Sequence, residues 1–454
     1  MELTELIAAQ RAYFHLGYTR SVSFRRQMLL RLKQGLRRHE EALLAALEQD
    51  LGKSRFEGYE TELGIVYAEL REAWNHLEHW ARTQKVRTPL ALFPASSRFT
   101  PEPFGTVLIM APWNYPVQLT LVPLISALAA GCTAVVKPSA YAPASSQAVA
   151  DLLADVFESE YVAAVQGGRA ENAALLEQHF DFIFFTGSAE VGRTVMTAAA
   201  RHLTPVALEL GGKSPVILAP DADLELAAKR IVWGKGLNAG QTCVAPDHVW
   251  VPAPDRDLFV KILADQIRRQ YGERPLESPD LPRIVNEKHF QRLQGLMSSG
   301  RIACGGGCDP ERLRIEPTVL LDITENDPVM GEEIFGPLLP VLPYEDLDGL
   351  IAHLQEKPRP LALYVFTRNK WMMKKISDAL PFGGGCMNDV VVHLANSRLP
   401  FGGVGASGMG RCHGEWGFRT FSHEKAILRS FSPGLPLRYP PHAGKGLGLL
   451  KKFM

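Results

Sequence analysis

From Gly105 onward the chain changes rhythm, and that change restricts its fold more than any other feature. Largely apolar runs at 106–110, 133–136, 162–165, 182–185 and 205–208 alternate with helix-like segments at 116–130, 145–157, 170–178 and 189–201. Short continuous apolar runs suit strands buried on both faces, and such strands belong to parallel sheets with helical crossovers. The pattern predicts an α/β fold, with a doubly wound sheet of dinucleotide-binding (Rossmann) type. The alternation resumes after Gly212. Strands are expected at 215–218, 248–251, 318–321, 338–342 and 363–366, with helices at 223–237, 256–270, 287–298, 345–355 and 371–379. A second α/β domain of similar build follows, and a chain of 454 residues is too long for one core.

The flanks read differently. Residues 1–82 look helical, with Ser23 capping a run over 24–51 that Gly52 closes, and a second run over 59–80. Four prolines at 89, 94, 101 and 103 make 84–103 an excursion with edge-strand character. The stretch 117–136 is apolar enough to mimic a membrane span, but Gln118, Pro123, Ser126 and the Gly131-Cys132 break favour a buried helix, a turn and a strand. The segment 394–430 is glycine-rich and then polar.

Charge excludes some functions. Lys+Arg and Asp+Glu are equal at 49 each, which gives no support to a nucleic-acid partner. Six cysteines (132, 243, 304, 308, 386, 412) do not suggest a disulfide framework, and a reducing, cytoplasmic location is expected. Cys304 and Cys308 have no second Cys/His pair nearby, so no metal site is expected.

Several residues stand where chemistry is done. In Asn238-Ala239-Gly240-Gln241-Thr242-Cys243, small residues deliver one unguarded thiol, either an attacking group or an idle packed cysteine. Asn114 follows the strand at 106–110, where an amide can donate to an oxyanion or simply make a turn. Lys137 ends the next strand, as a ribose or phosphate ligand or as a surface charge. Gly187, Ser188 and Gly192 lie at a strand-to-helix turn that can admit a pyrophosphate. Glu209 sits among Leu208, Leu210 and glycines, as a general base with a raised pKa or as one half of a salt bridge. The formal G-x-G-x-x-G at 403–408 follows no strand and is rejected as a fingerprint.

Taken together, the motifs at 111–116, 137–139, 184–192, 208–215, 238–246, 332–337 and 399–410 resemble the aldehyde dehydrogenase superfamily. The match is closest to its class 3-like branch, which includes fatty and medium-chain aldehyde dehydrogenases. The resemblance implies a coenzyme-binding domain over 1–83 and 104–212 and a catalytic domain over 213–393. It makes 84–103 and 394–430 bridging and oligomerisation segments, followed by a tail at 431–454. It makes Cys243 the nucleophile, Glu209 the general base and Asn114 the oxyanion donor, acting with the Cys243 N–H. Lys137 would hold the adenosine ribose, with Gly187, Ser188 and Gly192 at the pyrophosphate. Glu333 and Phe335 would hold the nicotinamide ribose and flank the ring.

The implied reaction is NAD(P)-dependent oxidation of an aldehyde to an acid through a thiohemiacetal and a thioester, the latter hydrolysed by water that Glu209 activates. Ala140 stands where the family commonly places a ribose-binding Glu, which implies use of NADP alongside NAD. Tyr115 and Trp233 suggest a pocket for apolar aldehydes. A homodimer is expected. The basic, apolar tail could touch a membrane, but its glycines favour a plain surface tail. The alternatives are a CoA-acylating relative, which would not need Glu209, a non-catalytic relative, and a cysteine hydrolase, which would need a histidine beside the thiol.

Overall fold

A computed structural model of the chain describes residues 2–431, 439–443, 446–448 and 451. Most of the tail discussed above lies outside these residues. The expected α/β fold is present. The first sheet has its parallel strands in the spatial order Val162–Ala164, Thr133–Lys137, Thr106–Met110, Phe182–Gly187, Val206–Leu210. Sequence order reverses between Thr106–Met110 and Phe182–Gly187, and ligands of doubly wound sheets gather at the carboxyl ends of strands beside such a point. Every residue of Thr106–Met110 and Thr133–Lys137 is buried, which is why both read as unbroken apolar runs. The helices Val22–Leu51 and Gly64–Trp80 pack on one face through Leu32, Leu36 and Leu77, which join Leu121, Leu128 and Val136 in one core.

The second sheet runs Arg301–Cys304, Thr318–Leu321, Leu338–Tyr344, His248–Pro252, Pro215–Leu218, Ala362–Phe366, Gly384–Met387. All neighbours are parallel except Arg301–Cys304, which is antiparallel to Thr318–Leu321. A third, antiparallel sheet joins Gln84–Val86, Ala95–Pro103 and Ser422–Ser430. The proline-rich excursion and the polar stretch near residue 430 are thus two parts of one ribbon.

Local readings shift in instructive ways. Ser21, not Ser23, caps the long helix, because its Oγ accepts from the Phe24 N–H at 3.4 Å while Ser23 already lies inside the first turn. The next helix starts at Arg55 rather than 59, capped by Ser54, and passes through a π-helical turn at Tyr59–Leu63. The helix expected from 116 begins at Gln118. Its first amides are satisfied from afar, since Glu62 Oε2 accepts from the N–H groups of both Val117 and Gln118 at 2.9 Å.

Candidate active site

The two sheets meet end to end. Strand Val206–Leu210 gives way within a few residues to Pro215–Leu218, so the carboxyl ends of the first sheet face the amino ends of the second. Asn114, Ser188 and Glu209 follow or end strands of the first sheet. Cys243 and Glu333 precede strands His248–Pro252 and Leu338–Tyr344 of the second. This topology brings together residues far apart in the chain.

The cysteine loop is tightly wound. Asn238 and Ala239 both have φ of 51°, and Gly240 follows at 74°. A side chain at Gly240 would collide with the carbonyl of Gly336, so glycine there lets the cysteine loop pack on the loop carrying Glu333 and Phe335. The Asn114 amide Nδ2 donates to the Gln241 carbonyl at 3.0 Å, and Asn238 Nδ2 donates to the Asn114 carbonyl at 2.7 Å. Asn114 is thereby fixed beside the cysteine loop. An amide carries two N–H donors, which leaves the second for a ligand. Behind the thiol, the Tyr364 hydroxyl donates to the Val244 carbonyl.

Cys243 and Glu209 line one cavity of about 170 Å³. Tyr115, Trp233, Leu237 and Phe401 give it an apolar wall. Glu209 is 4% exposed, and neither carboxylate oxygen has a hydrogen-bond partner among the described residues. Burial without compensation pushes its carboxyl well above the usual range. The Cys243 thiol is pushed up to about 12, first by burial and then by the nearby Glu333 and Glu209, against opposing help from the Cys243 and Val244 N–H groups. The site therefore holds a thiol and a carboxyl that burial pushes toward their neutral forms, the carboxyl without a partner among the described residues.

A second, larger cleft of about 480 Å³ opens beside Ser188, Gly211, Gly212, Lys213 and Glu333. Ser188 caps the helix Ala189–Ala200, and its Oγ accepts from the Val191 N–H. Gly192 lets that helix lie against Leu210, while Gly187 has no room for a side chain beside the Phe185 ring. Glu333 Oε1 has no partner among the described residues, and burial together with Asp247 raises its carboxyl to about 8. An orphaned buried carboxyl facing a roomy cleft at a helix N-terminus fits a dinucleotide, with hydroxyls for Glu333 and an anion for Ser188. Lys137 is buried, and its Nζ donates to the carbonyls of Pro138 and Gly167. Phe335, at φ 50°, turns its ring edge-on to Trp113 with centroids 5.4 Å apart.

Sequence reading missed an ionic cluster beside Glu333. Asp247 is buried, bridges to Lys213, and accepts the Ile334 N–H at 2.9 Å. Burial opposes its ionisation, yet Lys213, His248 and Lys235 hold its carboxyl well below the usual range. Burial brings the Lys235 ammonium down to about 8. Cys412 and His413, which line the apolar cavity, were also missed. Lys213 lies within the 208–215 motif and Asp247 directly after the 238–246 motif, a signal that could have found the cluster.

The comparisons with known proteins agree with this geometry. A model described as "Aldehyde dehydrogenase family" matches residues 2–427. The chain is 45% identical over 438 residues to 4,4'-diaponeurosporen-aldehyde dehydrogenase of Staphylococcus aureus, covering 96% of this chain and 95% of that protein. It is 45% identical over 452 residues to human aldehyde dehydrogenase family 3 member B1, covering 99% and 96%. A substrate-bound structure of Staphylococcus aureus AldH superposes with a TM-score of 0.97 at 43% identity, covering all of both chains. A Mycobacterium tuberculosis aldehyde dehydrogenase complexed with NAD+ superposes at 0.85 and 29% identity, covering 96% of this chain and 90% of that one. A match of this extent, over a thiol and an unpaired glutamate that share one cavity, leads to one conclusion: the chain belongs to the aldehyde dehydrogenase family and oxidises aldehydes with a nicotinamide coenzyme.

Proposed function

We propose that Cys243 is the nucleophile, Asn114 the oxyanion donor and Glu209 the general base of a hydrolytic aldehyde oxidation. One observation carries the reading: Cys243 and Glu209 line the same apolar cavity, and the Glu209 carboxyl has no partner among the described residues. The Cys243 sulfur adds to the aldehyde carbon as its S–H bond breaks and the proton passes to water. The free Asn114 N–H and the Cys243 N–H receive the developing oxyanion. When bound in the cleft beside Glu333, the nicotinamide ring supplies the hydride acceptor. Hydride loss from the thiohemiacetal carbon would leave a thioester. Glu209 then takes a proton from water, whose oxygen attacks the thioester carbon, and the carbon–sulfur bond breaks to release the acid as the proton returns to the Cys243 sulfur. A carboxylate with a raised pKa is a stronger base than an ordinary one, as this step requires. The apolar wall favours apolar aldehydes.

The finer points rest on the same site. Ser188, Gly187 and Gly192 form the pyrophosphate turn, Lys137 the adenosine ribose contact, and Glu333 and Phe335 the nicotinamide end. Ala140 lies exposed just after strand Thr133–Lys137, with no carboxylate to repel a 2′-phosphate, which supports use of both NAD and NADP. Strand Ser422–Ser430 pairs with one neighbour only and is mostly exposed, an open edge that suits a homodimer. No helix among the described residues is long and apolar enough to cross a membrane, and a cytoplasmic enzyme is proposed. The test mixes protein, aldehyde and NAD or NADP and follows reduced coenzyme with and without CoA. Reduced coenzyme and free acid without CoA, lost in Cys243→Ala, are expected. Strict CoA dependence, or activity surviving Cys243→Ala, overturns the mechanism.

A further inference from the structure

The N-terminal helices reach the nucleophile loop through charged groups that the reaction scheme does not use. Glu57, on the short helix Arg55–Gly58, is 8% exposed, and its Oε1 accepts from the Asn238 N–H at 2.6 Å. Asn238 and Ala239 are consecutive non-glycine residues in the left-handed region. Single residues visit that region at a cost, and consecutive ones persist only where the surroundings over-determine them. The Asn238 side chain ties the same turn to the Asn114 and Gln241 carbonyls. Nearby, the buried Lys53 Nζ lies 2.6 Å from Glu62, donates to the Asn114 carbonyl at 3.2 Å and sits over the Tyr115 ring, whose hydroxyl meets Thr242 Oγ1 at 2.6 Å. The backbone of Asn114 and the turn before Cys243 are thus gripped from one side by Lys53 and Glu57.

We infer that Glu57 is a positioning residue for the reaction: by accepting the Asn238 N–H it holds the left-handed turn that sets Cys243 and Asn114 in one frame. This rests on the roles given above to Cys243 and Asn114. A protonated or ionised carboxyl, or an amide, can make the same bond, since each offers an acceptor oxygen. Glu57 lines neither cavity wall of the coenzyme cleft, so coenzyme affinity is not its concern.

The test compares three substitutions at Glu57 and one double variant, with Cys243→Ala as control. Glu57→Gln should stay within about threefold of the parent in kcat/KM. Glu57→Leu should lose about thirtyfold or more, with the coenzyme Kd, measured by fluorescence titration, changed less than about twofold. Adding Ala239→Gly to Glu57→Leu should recover about fivefold, because glycine holds a positive φ without steric cost. Glu57→Asp keeps the charge but withdraws the acceptor, and should lose about tenfold; it carries the test if Glu57→Leu does not fold. Glu57→Leu with parental kcat/KM and only a lower Tm overturns the inference. So does a Glu57→Gln loss equal to that of Leu, or a Glu57→Asp enzyme within about twofold of the parent. An active Cys243→Ala would instead overturn the underlying mechanism.

Discussion

Two glutamates stand near Cys243, and their surroundings could hardly differ more. Glu209 lies in an apolar wall with no hydrogen-bond partner among the described residues, and burial is what raises its carboxyl. Glu333 lies at the wider cleft, near Asp247, Lys213 and Lys235, and accepts from the Gly212 N–H. Burial raises both carboxyls, but only Glu209 is left with nothing to do except take a proton. Glu333 is held by its neighbours and offers one oxygen to a ligand. On the proposed roles, the same residue type serves as a base in one place and as a holder in the other because of what surrounds it.

The sharpest way to test this contrast is to remove each carboxylate in turn. Glu209→Gln should lower steady-state kcat about 10²–10⁴-fold while keeping a first-turnover burst of reduced coenzyme, read by stopped flow. Loss of the burst would move Glu209 into the earlier steps. Asp247→Ala strips the Glu333 side of its counter-charge and leaves Lys213 and Lys235 facing each other. It should cost about 3 kcal/mol in urea unfolding, at the low end for a broken ion pair because Lys213 is partly exposed. An unchanged midpoint would show that the cluster does not hold the loop. Glu333→Gln should lower kcat about tenfold with no burst, because the coenzyme is misplaced rather than the water unactivated. A retained burst there would erase the distinction between the two glutamates. A last effect is on stability against pH. Glu333 titrates near 8 in the folded chain and near 4.5 when unfolded, so folding takes up a proton between these values. Stability from this group is full below about 4.5 and is lost as pH rises through about 8. Glu333→Gln should flatten that decline relative to the parent in thermal melts, and an unaltered slope would contradict it.

Much of the frame was legible because burial was two-sided. Thr106–Met110 and Thr133–Lys137 are buried at every residue and read as strands at once. Gly384–Met387 was missed, since Gly-Gly-Cys-Met carries no strand preference and is defined only by pairing with Ala362–Phe366. Ser422–Ser430 was missed because its side chains are mostly exposed and its partner lies at Ala95–Pro103, over 300 residues earlier. At the site, Cys243, Glu209, Asn114 and Glu333 were named from their motifs, and Cys243 and Glu209 line one cavity while Asn114 bonds to the cysteine loop. Glu57 and Lys53 were not legible. A lysine just past the end of one helix and a glutamate on a single helical turn look like solvated charges until the fold buries them, at 1% and 8% exposure, against a loop more than 180 residues away.

One further consequence concerns the order in which the molecule is assembled. Strand Gly408–Met409 runs antiparallel beside Val206–Leu210, placing Gly408 opposite Glu209, and Phe401, Cys412 and His413 complete the cavity wall. A ribosome must therefore translate some 200 residues after Glu209 before the base acquires its cover. Such long-range closure is slow to form because the intervening chain must first be ordered. Until it forms, Glu209 stands at a sheet edge open to water, with an ordinary solvated carboxylate's basicity. The chemistry of the site is in this sense a late product of folding: the residues are present early, and their reactivity arrives with the last ribbon.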